Sequence, residues 1–141
     1  MSAALRVVHE DGDRFTVEVR DHSITVDQPV ADGGADRGPS PTELFVASLA
    51  SCVAFYARRF LARHGLPDGV AVDAEWTMAS SPNRVGSIRV SARAPGLPLA
   101  LEPRLAKVIE HCTVHNTLMA PPEVTLALET QGSGREEGSA S

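Results

Sequence analysis

The feature that most constrains this chain is a run of 14 residues without a charge, Leu44 to Ala57, inside a helical pattern that opens at Ser40-Pro41-Thr42-Glu43. Ser40 can cap such a helix, Pro41 suits its first position, and Glu43, three residues after Ser40, completes a capping box. The helix can run to His64, with Gly65 as its stop and Arg58, Arg59, Arg63 and His64 suited to its negative end. Between Leu44 and Ala57 every side is apolar or small, which predicts a helix buried all round. About 24 residues at 1.5 Å each make a helix roughly 36 Å long. A globule of 141 residues does not easily cover that length. A second copy would cover the rest, so a homodimer is expected.

The segments around the helix read as strands. LRVVHE and RFTVEVR flank Asp11-Gly12-Asp13, a hairpin signal, and Phe15, Val17 and Val19 alternate with polar neighbours. A short turn at Asp21-His22-Ser23 leads to ITVDQPV, and the Gly/Pro/Asp loop ADGGADRGPSP then breaks the pattern before the helix. Two further strands, Val70–Ala79 and Arg84–Ala94, are joined at Ser80-Ser81-Pro82-Asn83. A second helix starts near Glu102-Pro103 and runs toward His111 or beyond, with Leu105, Ile109 and Cys112 on its apolar face. Pro121-Pro122 leads into a last strand, Glu123–Thr130. The order predicts a single α+β domain over residues 1–130, with a mainly antiparallel sheet around a long buried helix, and a disordered tail over 131–141.

Composition narrows the function classes. Only 4% of residues are aromatic and the net charge is −5, which argues against nucleic acid and against an anionic membrane surface. The uncharged run falls short of the roughly 18 residues of a spanning helix, and MSAALRVVHEDGDRF lacks a secretory signal's apolar region. No membrane partner and a cytoplasmic location are expected. There, two cysteines point to redox chemistry, metal binding or plain burial rather than to a static disulfide.

Cys52 lies mid-helix in ASLASCVAF, and Cys112 lies in HCTVHNTL, crowded by His111, His115 and Asn116. Redox use of Cys52 needs a thiolate, yet a thiol of pKa about 8.5 is only a few per cent ionised at neutral pH and burial makes ionisation harder. A cation must therefore come from elsewhere in the fold, and Arg14, Arg20 and Arg37 precede the helix. Zinc is the competing chemistry, with His111, Cys112, His115 and Cys52 as donors. Consecutive helical His111 and Cys112 would point about 100° apart, and no CxxC or HExxH is present. Glu43 reads as a helix cap.

GPSPTELFVASLASC, followed about 60 residues later by HCTVHNTL, resembles the OsmC/Ohr family, as do the hairpin start, ITVDQP and the GG…GPSP loop. The resemblance spans residues 4–130. It implies an OsmC-like fold: an intertwined homodimer with two long central helices wrapped by sheets and active sites at the subunit interface. It also implies thiol-dependent reduction of organic hydroperoxides, and of hydrogen peroxide less well, with a thiol or dithiol reductant and no cofactor. Cys52 then takes the peroxidatic role and Cys112 the resolving role. Arg14, or Arg20, holds the thiolate, and a glutamate at the helix start holds the arginine. The chain departs from the hydroperoxide-resistance branch in two places. Thr42 stands ten residues before Cys52, where that branch has the glutamate, leaving Glu43 nine before; and no proline follows Cys112. A non-catalytic small-ligand-binding protein of the same fold is the alternative expectation.

Overall fold

A computed structural model of the chain describes residues 2–131. The expected tail, 131–141, lies outside them except for Gln131. Arg6–Asp11 (β1), Arg14–Val19 (β2) and His22–Val26 (β3) form one antiparallel sheet in sequence order. Val7 faces Val17, which faces Ile24, so these side chains share one side of the sheet. That side is only partly covered: Val7 is 54% exposed and Ile24 39%.

From β3 the chain enters the Gly-rich loop, whose form is set by one buried carboxylate. Asp27 accepts hydrogen bonds from the backbone N–H of Gln28 at 2.7 Å and of Arg37 at 3.0 Å, pinning both ends of the loop. The backbone comes so close to itself here that a Cβ on Gly34 would strike the Gln28 carbonyl, and one on Gly38 the Thr25 carbonyl. This close approach explains Gly34 and Gly38 of GGADRG, while Gly33 is required by its φ of 96°.

Pro41–Arg63 forms α1, with the capping box expected from Ser40 and Glu43. Glu43 N–H donates to Ser40 Oγ at 3.2 Å, and Ser40 N–H donates to Glu43 Oε1 at 2.8 Å. The helix is not buried all round. Val46, Leu49, Val53, Ala57, Phe60 and Leu61 are buried, whereas Phe45 on the flank is 41% exposed and Phe55 on the far side 53%. An all-apolar surface predicts burial of every face, and a single chain supplies cover for only one. By length and apolar composition α1 could cross a membrane; core helices of soluble proteins share those properties.

Ala71–Ala79 (β4) and Arg84–Arg93 (β5) pair antiparallel as a second sheet against α1. Two short helices follow, Glu102–Ile109 (α2) and Thr113–Met119 (α3). The expected single helix through His111 is thus broken. Cys112 takes an extended conformation and is the N-cap of α3, and Asn116 Nδ2 donates to the His111 carbonyl across the break. The expected strand over 123–130 does not form. Val124, Leu126 and Leu128 alternate as a strand should, yet each is more than 70% exposed. Alternation specifies a face, but a strand forms only when it pairs with another strand's edge, and residues 123–130 form no ladder with the open edges of β1, β3, β4 or β5.

Candidate functional site

The break at Cys112 places the two cysteines together. Leu49, Val53 and Cys112 form one buried cluster, on which Cys52, Tyr56, Val72, Ile88, Val90, Ile109 and Val114 pack. The site therefore lies where α1 meets the start of α3 over the β4–β5 sheet. Both thiols are free. Cys112 is fully buried and Cys52 is half-buried, so Cys52 is the sulfur a reagent meets first.

Burial pushes the Cys112 thiol above its ordinary pKa. The Cys52 side chain raises it further, being near enough to hydrogen-bond the thiol and, when ionised, to repel a second thiolate. The backbone N–H of His115, 3.4 Å from Cys112 Sγ, and that of Val114 act in the opposite direction. Cys112 is thus a protonated partner held against Cys52.

The periodicity of the sequence did not single out Tyr56. It lies four residues after Cys52, on the same flank of α1, and its Oη is 2.9 Å from Thr113 Oγ1. That bond fastens α1 to α3 immediately beside Cys112. The i, i+4 spacing of the chain's only Tyr from Cys52 was the available signal. A cleft of about 250 Å³ opens on the flank of the cluster, between Phe45, Leu49, Ile88, His115 and Leu118.

The supporting residues expected from the sequence are not gathered around Cys52 within one chain. Arg14 begins β2 and pairs with Asp11 at 3.4 Å, and its charge also lowers the pKa of Asp27. No hydrogen bond or ion pair joins it to Cys52 or Glu43 among the described residues. Arg20 occupies a left-handed turn position between β2 and β3. The backbone N–H of Arg37 is used in the Asp27 loop. Glu43 Oε1 is engaged in the helix cap. His111 and His115 do not turn toward a shared donor set: their Nδ1 atoms contact the carbonyls of Lys107 at 2.8 Å and Glu110 at 2.6 Å. Among the described residues no three His, Cys, Asp or Glu side chains converge as metal ligands.

The geometry defines a class of protein: an α+β chain that packs one accessible and one buried thiol side by side in an apolar seam. Within that class the chain belongs to the OsmC-like protein family, whose profile matches residues 33–127. Solved structures agree in fold. A protein from Psychrobacter arcticus, provisionally described as osmotic stress induced and of the detoxification response, matches with TM-score 0.74 and 20% identity, over 83% of this chain and 88% of that one. An organic hydroperoxide resistance protein OsmC from Legionella pneumophila gives TM-score 0.64 and 21% identity over 84% and 89%. A protein from Vibrio cholerae, provisionally described as an organic hydroperoxide resistance protein with captopril bound in one of its active sites, gives 0.65 and 16% over 86% and 88%. No curated protein matches the sequence.

Proposed function

We propose that the chain is a thiol-dependent peroxidase that reduces organic hydroperoxides, with Cys52 as attacking sulfur and Cys112 as resolving sulfur. One observation carries the reading: a half-buried thiol packed against a fully buried one. The Cys52 thiolate attacks the peroxide oxygen, the O–O bond breaks, and the alkoxide takes a proton and leaves as an alcohol. The oxidised sulfur is then a sulfenic acid. Cys112 gives up its proton and attacks it; the S–S bond forms, the S–O bond breaks, and water leaves. An external thiol or dithiol reduces the disulfide by exchange. The descriptions of the Legionella and Vibrio proteins as hydroperoxide resistance proteins support the choice of substrate.

The thiolate also needs a cation. We assign it to Arg14 from a second copy of the chain, since among the described residues no hydrogen bond or ion pair brings Arg14 to Cys52 within one chain. The protein then works as a homodimer, in the cytoplasm, where the reduced pair is maintained. The exposed far side of α1 is consistent with such a partner.

Mass spectrometry after one equivalent of cumene hydroperoxide tests the proposal. Loss of two hydrogens in the wild type, and a stable sulfenic acid in Cys112→Ser, are expected. Unchanged peroxide consumption by Cys52→Ser would rule the mechanism out. An unchanged wild-type mass would favour a non-catalytic ligand-binding protein.

A further inference from the structure

A second cleft, of about 510 Å³, lies where the C-terminal half of α1 crosses α2, and it is not lined by either cysteine. Its size falls within the usual range for small-molecule sites. Arg59 and Arg63 from α1 and Arg104 and Lys107 from α2 line it, together with Phe55, Tyr56, Phe60 and His64. No acidic residue lines it. Among the described residues the ion pairs are made by Arg14, Arg58 and Arg93, so none of these four cations has a carboxylate partner.

Helix electrostatics accounts for only part of this cluster. Arg59 and Arg63 lie toward the negative end of α1, where cations are favoured. Arg104 is the third residue of α2, at its positive end, where a cation is disfavoured. Four like charges thus converge from two helices on a chain whose net charge is −5. The floor between them is aromatic: Phe60 stacks on His64 with ring centroids 4.1 Å apart, and Arg59 lies over the Phe55 ring at 5.4 Å. Converging unpaired cations recognise an anion, and flat aromatic walls recognise a flat apolar body.

We propose that this cleft binds a small organic anion, a planar aromatic body carrying one carboxylate or phosphate, at a site distinct from the cysteine pair. The head group meets the Arg63, Arg104 and Lys107 side chains, and the ring lies against Tyr56 and the stacked Phe60 and His64 rings. The proposal does not depend on peroxidase activity.

Isothermal titration calorimetry of the full chain with 2-naphthoate, 2-naphthyl phosphate, neutral 2-naphthol and inorganic phosphate tests it. Saturable binding of one or both aryl anions is expected, weakening as salt rises, and the tighter of the two identifies the head group. The Arg63→Glu/Lys107→Glu variant exchanges two exposed charges; it should bind at least about tenfold more weakly, with unchanged circular dichroism. Arg58→Glu, whose native partner is Asp68, controls for general charge and should bind as the wild type does. Absence of binding by the wild type overturns the proposal. So does equal affinity for 2-naphthol or for phosphate alone, or undiminished binding by the double variant.

Discussion

Alkylation separates the two thiols by rate, and the structure sets the scale. Reduced protein is treated with iodoacetamide at pH 7.5, quenched over time, and each cysteine is followed by peptide mass spectrometry. Cys52 is half-buried and reacts from the native state. Cys112 is fully buried at the N-cap of α3, so reagent reaches it only when the start of α3 lifts from Leu49 and Val53. That opening exposes Cys112 and a buried neighbour such as Val53, at roughly 1.5 kcal/mol for each side chain, about 3 kcal/mol together. With each 1.4 kcal/mol worth a factor of ten, the open form is about one part in a hundred. Cys52 should therefore be labelled about 100-fold faster. The raised pKa of Cys112 acts in the same direction, because less of it is thiolate at that pH. Labelling of both cysteines at rates within about threefold would refute the division into an attacking and a resolving sulfur.

Three further outcomes follow from the fold. Ser40→Ala should cost about 1 kcal/mol by urea unfolding, whereas Glu43→Gln keeps an acceptor for the Ser40 N–H and should cost much less; a larger loss in Glu43→Gln would mean that its charge does more than cap α1. Asp27 is held below its ordinary value of 3.8, chiefly by the Arg37 backbone N–H, so it contributes stability above that pH and loses it as the pH falls through its folded value. Asp27→Asn should flatten the fall in urea midpoint between neutral pH and about pH 3, and a profile parallel to wild type would contradict the loop account. Leu61 is fully buried, and Leu61→Ala should lower stability by about 2–5 kcal/mol; a loss below about 1 kcal/mol in the unfolding free energy from urea titration would show that its site collapses around the smaller side chain.

How much was legible in the residues varies with the range of the interaction. The start of α1 was written locally, in Ser40, Pro41 and Glu43, because a capping box is made by neighbours in sequence. The hairpin at Asp11-Gly12-Asp13 was equally local. The break at Cys112 was not legible, because Leu105, Ile109 and Cys112 keep helical spacing whether the helix continues or re-caps. Contact between Cys52 and Cys112 depends on how α1 crosses α3, and sequence spacing carries no such information; the family resemblance supplied the pairing. Val124, Leu126 and Leu128 showed their common face and nothing about what would lie against it. The same resemblance, and no spacing, points to Arg14 as the thiolate's partner, and within one chain it turns to Asp11 instead.

Cys112 serves α3 as well as the thiol pair, because its sulfur accepts the His115 N–H as the helix cap. Where the proposed disulfide draws the sulfur off the His115 N–H, the reduced form alone keeps the cap. The reduction potential and the stability of α3 are then linked quantities. For a two-electron couple about 30 mV corresponds to 1.4 kcal/mol, so a cap worth about 1 kcal/mol raises the potential by roughly 20 mV. Residues of α3 remote from either sulfur can tune the couple by tightening or loosening seven residues of helix.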